Sequence, residues 1–161
     1  MESRVKLFGH PVHPMLIVFP LGLLGMAVIF DIVNLAFTGN GYWSEISYWM
    51  IAAGVVTGLL AAPFGLVDWF AIASGTRAKR IGAIHGVGNV VVVLLYASSW
   101  YMRMPNPRAP SMLAFLLAFV GLGLALVTGW LGGELVDRLA IGVDEGANMN
   151  APSSLSTRRA A

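Results

Sequence analysis

Histidines and carboxylates are the side chains of this sequence that could bind a metal ion or a cofactor. The chain has three histidines, His10, His13 and His85, and it has no cysteine. Disulfides, thiolate zinc sites and iron–sulfur ligation are therefore excluded, and any cofactor must be held by nitrogen or oxygen. His10 and His13 each precede a proline in GHPVHP, whereas His85 lies among glycines in RIGAIHGVGN.

The elements that must position these side chains are membrane-spanning helices. Of the 161 residues, 57% are hydrophobic and 11% are charged, whereas soluble domains carry about 25% charged residues. A bilayer core about 30 Å thick needs roughly 20 apolar residues in a helix, and four windows satisfy this: 14–37, 46–67, 81–102 and 111–133. We predict an all-α fold, namely an integral membrane four-helix up-down bundle.

Composition divides the chain into three parts. Residues 1–13 form a short basic segment, residues 14–140 form the bundle, and residues 141–161 have no apolar period, so we expect this tail to be disordered unless a partner binds it. Most Lys and Arg residues fall on one side of the predicted spans, which places both termini in the cytoplasm. The net charge of +2 thus sets topology, and a nucleic-acid partner is not expected.

An up-down bundle brings the polar residues of separate segments to one end. The starts of the first and third helices and the ends of the second and fourth share a membrane face, and this face collects His10, His13, Asp68, His85 and Glu134. Since a residue before proline avoids the helical region, we expect His10 in an extended segment and His13 at or beside the first helix N-terminus. His85 should lie about one turn inside the third helix.

Each histidine has a structural interpretation beside a functional one. His85 could be a hydrogen-bonded imidazole or a metal ligand, and its flanking glycines could serve close helix packing or the clearance that a flat ligand needs. His10 and His13 could instead cap a helix N-terminus or contact lipid phosphate.

The carboxylates also need partners, because an acidic group near a helix C-terminus opposes the helix dipole. For Asp68 the candidates are the histidines, Arg77, Lys79 and Arg80. For Glu134 they are Arg138, four residues later, or a histidine that the carboxylate would orient.

Asp31 lies too far along the first helix to join the histidines, roughly 24 Å from its start. It could pair with Arg103 or Arg108, relay protons, or hydrogen-bond across the bundle to Tyr96, Ser98 or Ser99.

Known catalytic motifs are absent from the sequence. It contains no phosphate-binding loop, HExxH, GxSxG or dinucleotide fingerprint, and the segments between spans are short. A conventional enzyme is therefore not predicted.

The chain resembles the bacterial membrane family catalogued as domain of unknown function 2231. The resemblance covers about residues 8–136 and rests on GHPVHPMLIVFPLGL, GLVDW, IHGVGN and GWLGGELV. The family is similar in architecture to four-helix b-type cytochromes, and some relatives are joined to Rieske-type iron–sulfur domains. The resemblance implies a bacterial inner membrane location and electron-transfer company, with His10, His13, Asp68, His85 and Glu134 at the motif positions.

Two hypotheses about function follow. The first is a redox-associated subunit that binds haem b or a divalent metal ion at the cytoplasmic helix ends. His13 and His85 would hold a haem, with His10 as the alternate, and the three histidines with Asp68 and Glu134 would hold an ion. The second is a non-catalytic accessory subunit of a larger respiratory or photosynthetic complex, whose polar cluster is structural or holds a pigment or lipid. Membrane lipids and other membrane subunits are the expected partners.

Overall fold

Four long helical segments make up the bundle. The computed structural model describes residues 1–37 and 40–156. In chain order, the elements are β1 (Lys6–Leu7), β2 (His10–Pro11), α1 (Val12–Leu16), α2 (Val18–Ala36), α3 (Tyr42–Ala71), α4 (Arg77–Arg103), α5 (Met112–Gly133) and a short π-helix (Glu134–Arg138).

The helices are long and apolar enough to cross a membrane. The four candidate spans are Val12–Ala36, Tyr42–Ala71, Arg77–Arg103 and Met112–Arg138, so the prediction of an all-α, four-helix membrane bundle is confirmed. Two of the helices begin at side-chain caps: Thr76 accepts a hydrogen bond from the Lys79 backbone N–H, and Ser111 accepts one from Ala114. These caps satisfy amide groups that the first turn of a helix leaves without partners.

The first span is interrupted at Ile17. Pro20 has no N–H to donate to the carbonyl of Leu16, although Leu21 still bonds to Ile17 at 3.1 Å. As a result α1 is a separate five-residue helix that packs against α3. The interruption matters for the site because His13 lies on α1.

The bundle centre is made of small and medium-sized side chains. Its buried members are Leu24, Ala27, Val28, Ile51, Val55, Val92, Tyr96 and Ala118. Gly54 and Gly121 admit two of them: a Cβ atom at Gly54 would lie 2.5 Å from Cδ2 of Leu24, and one at Gly121 would lie 2.9 Å from Cε2 of Tyr96. Many larger apolar side chains point outward, as expected of helices in contact with lipid.

The two chain ends meet over one end of the bundle, in what we call the terminal cap (residues 1–11 and 140–156). The amino group of Met1 donates to the Ala140 carbonyl at 2.9 Å, and the Gly142 N–H donates to the Met1 carbonyl at 2.8 Å. Beyond the π-helix the described tail contains neither helix nor strand through residue 156. The last part of the predicted tail, residues 157–161, lies outside the described residues.

Candidate functional site

His13 is held in place by α3. Its Nδ1 atom lies 3.0 Å from the carbonyl oxygen of Ala61. Because a carbonyl can only accept, Nδ1 carries the hydrogen and donates it. The ring lies against Gly65, where an added Cβ would come within 2.7 Å of the imidazole Cε1. Only glycine leaves room for the ring at this height of α3, and the Nε2 atom keeps its lone pair.

His85 is held by α5 in the same manner. Its Nδ1 atom donates to the carbonyl of Thr128 at 2.8 Å, and a Cβ at Gly132 would lie 3.1 Å from the ring Cε1. Asn89, one turn further along α4, donates from Nδ2 to the His85 Nε2 at 3.2 Å. The Thr128 hydroxyl in turn donates to Oδ1 of Asn89 at 3.0 Å. Both ring nitrogens of His85 therefore have partners within the protein.

The two held histidines lie near one another at the same end of the bundle. Their imidazoles are close enough to interact electrostatically, and they come from different hairpins, α1–α3 and α4–α5. In each case a main-chain carbonyl receives the Nδ1 hydrogen and a glycine four residues later faces the ring. This arrangement fixes the tautomer, and Nε2 is the nitrogen that could bind a metal.

The other three predicted site residues are directed elsewhere. The Asp68 carboxylate accepts from the Ser3 hydroxyl at 2.6 Å and from the Arg4 backbone N–H at 2.7 Å, so its partners are in the terminal cap and not among the candidates considered from sequence. Within residues 1–37 and 40–156, no group of three or more His, Asp or Glu side chains could hold a metal ion. The structure does not assemble the five predicted residues into one set of ligands.

Glu134 and His10 also have their own contacts. Glu134 forms an ion pair with Arg77, 2.5 Å between Oε1 and Nη2, and this pair joins the end of α5 to the start of α4. Neither Arg138 nor a histidine takes this place. His10 is exposed in β2, as expected of an extended segment, and its Nε2 lies 3.3 Å from the Ser154 hydroxyl.

A second polar site lies at the opposite end of the bundle. Asp31 and Arg103 form a two-pronged ion pair with both N–O distances at 2.7 Å, and neither side chain has solvent exposure. The other guanidinium hydrogens reach Ser99, Ser47 and the carbonyl of Ala114. Of the two arginines considered from sequence, Arg103 is thus the partner of Asp31.

Arg108, the other candidate, pairs with Glu45 at 2.7 Å in an exposed position. Sequence considerations did not point to Ser47 or Ala114 as contacts of the buried pair. They also missed Thr128, whose signal was its position as a polar side chain within the most apolar span.

Charge also organises the terminal cap. Lys6 pairs with Asp144 and with Glu2. The hydrogen bond from Lys6 lowers the pKa of Glu2 below its usual value of 4.5, and the hydrogen bond to Asp144 raises the pKa of Lys6 above its usual value of 10.5. The lowered pKa of Glu2 means that its stabilisation is present above pH 4.5 and is lost as the pH falls through the lowered value. The contribution of Lys6 is present below pH 10.5 and is lost as the pH rises through the raised value.

We therefore expect the terminal cap to be closed at neutral pH and to open at both pH extremes. Because the chain has no cysteine, spin labels can be placed at Phe8→Cys and Met149→Cys, two exposed positions of the cap. Pulsed electron paramagnetic resonance should give a narrow distance distribution at pH 7 and a broad one well below pH 4.5. Lys6→Gln should broaden it already at pH 7. A distribution that is the same in all three samples would contradict the expectation.

These features define a class of protein: a four-helix integral membrane bundle with a histidine pair at one end and a buried ion pair at the other. The chain belongs to the family described as predicted membrane protein DUF2231, whose model matches residues 9–145. The family resemblance drawn from the helix-end motifs is thereby confirmed. Comparison with curated proteins and with solved structures found no match.

Proposed function

We propose that this protein is a redox-associated membrane subunit that binds one b-type haem between His13 and His85. The observation that carries the proposal is the equal treatment of the two imidazoles. Each donates its Nδ1 hydrogen to a main-chain carbonyl, of Ala61 and of Thr128, and so keeps Nε2 as the potential ligand. A haem held there would supply one-electron transfer in the membrane.

The surroundings of the histidines favour haem over a divalent ion. An ion such as zinc takes about four protein or water ligands, whereas Asp68 and Glu134 are engaged with the terminal cap and with Arg77. Two imidazoles without carboxylates match the axial positions of a haem. Gly65 and Gly132 leave the flanks of the rings free of side chains, and Asn89 must release the Nε2 of His85 for binding.

The setting of this subunit is part of the same proposal. Lys and Arg residues dominate the histidine end, including Arg4, Lys6, Arg77, Lys79 and Arg80. The positive-inside rule therefore supports a cytoplasmic location of this end and of both termini, in a bacterial inner membrane. Other membrane subunits would exchange electrons with the haem.

One observation favours the second candidate, a non-catalytic accessory subunit of a larger respiratory or photosynthetic complex. The hydrogen bonds of His85, Asn89 and Thr128 form a closed set, which is also what a purely structural imidazole needs. In that case the histidines would lock the helix ends together.

Spectra of the detergent-purified protein distinguish the candidates. We expect a Soret band that shifts on reduction with dithionite, with elemental analysis giving about one iron per chain. His85→Ala should abolish the band. His10→Ala is the matched control, because His10 is exposed, and it should leave the band unchanged. Metal without a Soret band would replace the haem with an ion, and a folded, colourless, metal-free protein would contradict the proposal and favour the accessory subunit.

A further inference from the structure

Contacts across the bundle recur at one spacing along the chain. The Asp31–Arg103 ion pair joins residues 72 positions apart, and the hydroxyl of Tyr96 donates to the carbonyl of Leu24, also 72 positions away. His13 and His85 are separated by the same 72 residues. All three pairs join the first span to α4, and they lie at the two ends and in the middle of these helices.

A second constant spacing, of 67 residues, relates α3 to α5. Leu24 packs on Gly54, and its counterpart Tyr96 packs on Gly121. His13 bonds to the carbonyl of Ala61, and its counterpart His85 bonds to that of Thr128. The same spacing relates Gly65 to Gly132, the glycines that face the two histidines, and Ser47 to Ala114, which both contact Arg103.

These spacings relate one helical hairpin to the other. Each contact between α1–α2 and α3 has a counterpart between α4 and α5 at corresponding positions. The difference between 72 and 67 is absorbed in the connection between the two helices of a hairpin. When two equivalent units pack about a two-fold axis, a residue near the axis meets its own counterpart. Leu24 meets Tyr96 and Asp31 meets Arg103, so the axis runs along the bundle through these pairs.

We infer that the bundle is an internal duplication of a helical hairpin about a two-fold axis along the membrane normal, so that His13 and His85 are the equivalent halves of one shared binding site. Repeats related in this way also build other membrane proteins. The site would take one flat ligand with two equal coordinating faces. The ligand part of this inference rests on the proposed function, whereas the duplication does not.

Exchanging the charges of the axial ion pair tests the duplication without a ligand. In the full chain, Asp31→Arg alone and Arg103→Asp alone should each lower the Tm in detergent by roughly 10 °C, because each leaves like charges buried together. The double variant should recover more than half of the loss. An arginine at position 31 would find Ala114 and Tyr48 where Arg103 now finds Ser47 and Phe115. It would lack only the counterpart of the Ser99 bond, since position 27 is alanine.

The aromatic neighbours separate symmetry from simple charge attraction. The Arg103 guanidinium now lies 5.0 Å from the centre of the Phe115 ring, and Tyr48 is the counterpart of Phe115 at a spacing of 67 residues. In the charge-exchanged chain, Tyr48→Leu should lower the Tm more than it does in the native chain, and Phe115→Leu should lower it less. If the double variant recovers nothing, or if the two aromatic substitutions act as in the native chain, the duplication is refuted.

Ligand stoichiometry tests the shared site. One haem per chain, with equal and complete loss in His13→Ala and in His85→Ala, supports a single site on the axis. Half the haem remaining in each single variant would mean two separate sites and would overturn the inference. A native protein without haem would defeat the proposed function and with it the ligand, while the charge exchange would still decide the duplication.

Discussion

Arg103→Leu is expected to lower the free energy of unfolding by about 3–5 kcal/mol, the range observed when one partner of a buried ion pair is removed. Asp31 would stay at a position without solvent exposure and would lose both of its short hydrogen bonds. In the native chain the five guanidinium hydrogens have acceptors in Asp31, Ser47, Ser99 and Ala114. No other described cation is given a contact with Asp31 that could take over this role.

Unfolding in detergent micelles, followed by circular dichroism, measures this loss. Arg108→Leu is the matched control, because the Arg108–Glu45 pair is largely exposed and should contribute less than about 1 kcal/mol. The double variant Asp31→Leu/Arg103→Leu should recover much of the stability, since an apolar pair leaves no buried charge behind. Equal losses in Arg103→Leu and Arg108→Leu would show that the buried pair has no special role.

Gly65→Ala is expected to destabilise the protein by about 1–3 kcal/mol, as other overpacked helix contacts do. The new methyl group would lie 2.7 Å from Cε1, 3.0 Å from Nδ1 and 3.1 Å from Nε2 of His13. The ring must move away from α3, and its hydrogen bond to Ala61 is then lost. Under the proposed function, the same substitution should also reduce the haem content.

Gly58→Ala on the same helix gives the comparison. Its Cβ would meet Val93 at 3.6 Å and Pro20 at 3.7 Å, which are ordinary contacts. Alanine is favoured over glycine inside a helix by up to about 1 kcal/mol, so this variant should be neutral or more stable than the native protein. The two substitutions make the same chemical change and should shift the unfolding curve in opposite directions. If Gly65→Ala were as stable as Gly58→Ala, the close approach of His13 to α3 would be in error.

The histidine end illustrates how far sequence reasoning reached. It placed His13, His85 and the carboxylates at one end, because helix order in an up-down bundle determines which ends meet. It did not identify the partners of Asp68 and Glu134. Arg138 is near Glu134 in sequence, but Arg77 is the residue that the packing of α4 against α5 brings to it. The choice depends on helix rotation, which the composition of apolar spans leaves open.

The repeat was hidden for a related reason. The equivalent positions hold different residues, such as Leu24 and Tyr96 or Asp31 and Arg103. A duplicated chain can place complementary groups where two identical copies would place like ones, so the halves diverged most where they meet. Only the contacts, with their spacings of 72 and 67 residues, relate one half to the other.

The sequence by itself determined that this is a four-helix membrane protein, because apolar length and the scarcity of charge leave helices in a bilayer as the solution. It also determined that nitrogen and oxygen are the only ligands available, and that Asp31 needs a partner. The tertiary structure decided which partner each polar group has. It gave Arg103 to Asp31, Arg77 to Glu134 and the terminal cap to Asp68. The physical reason is that a buried polar group bonds to whatever packing places within about 3 Å, and packing depends on the whole chain.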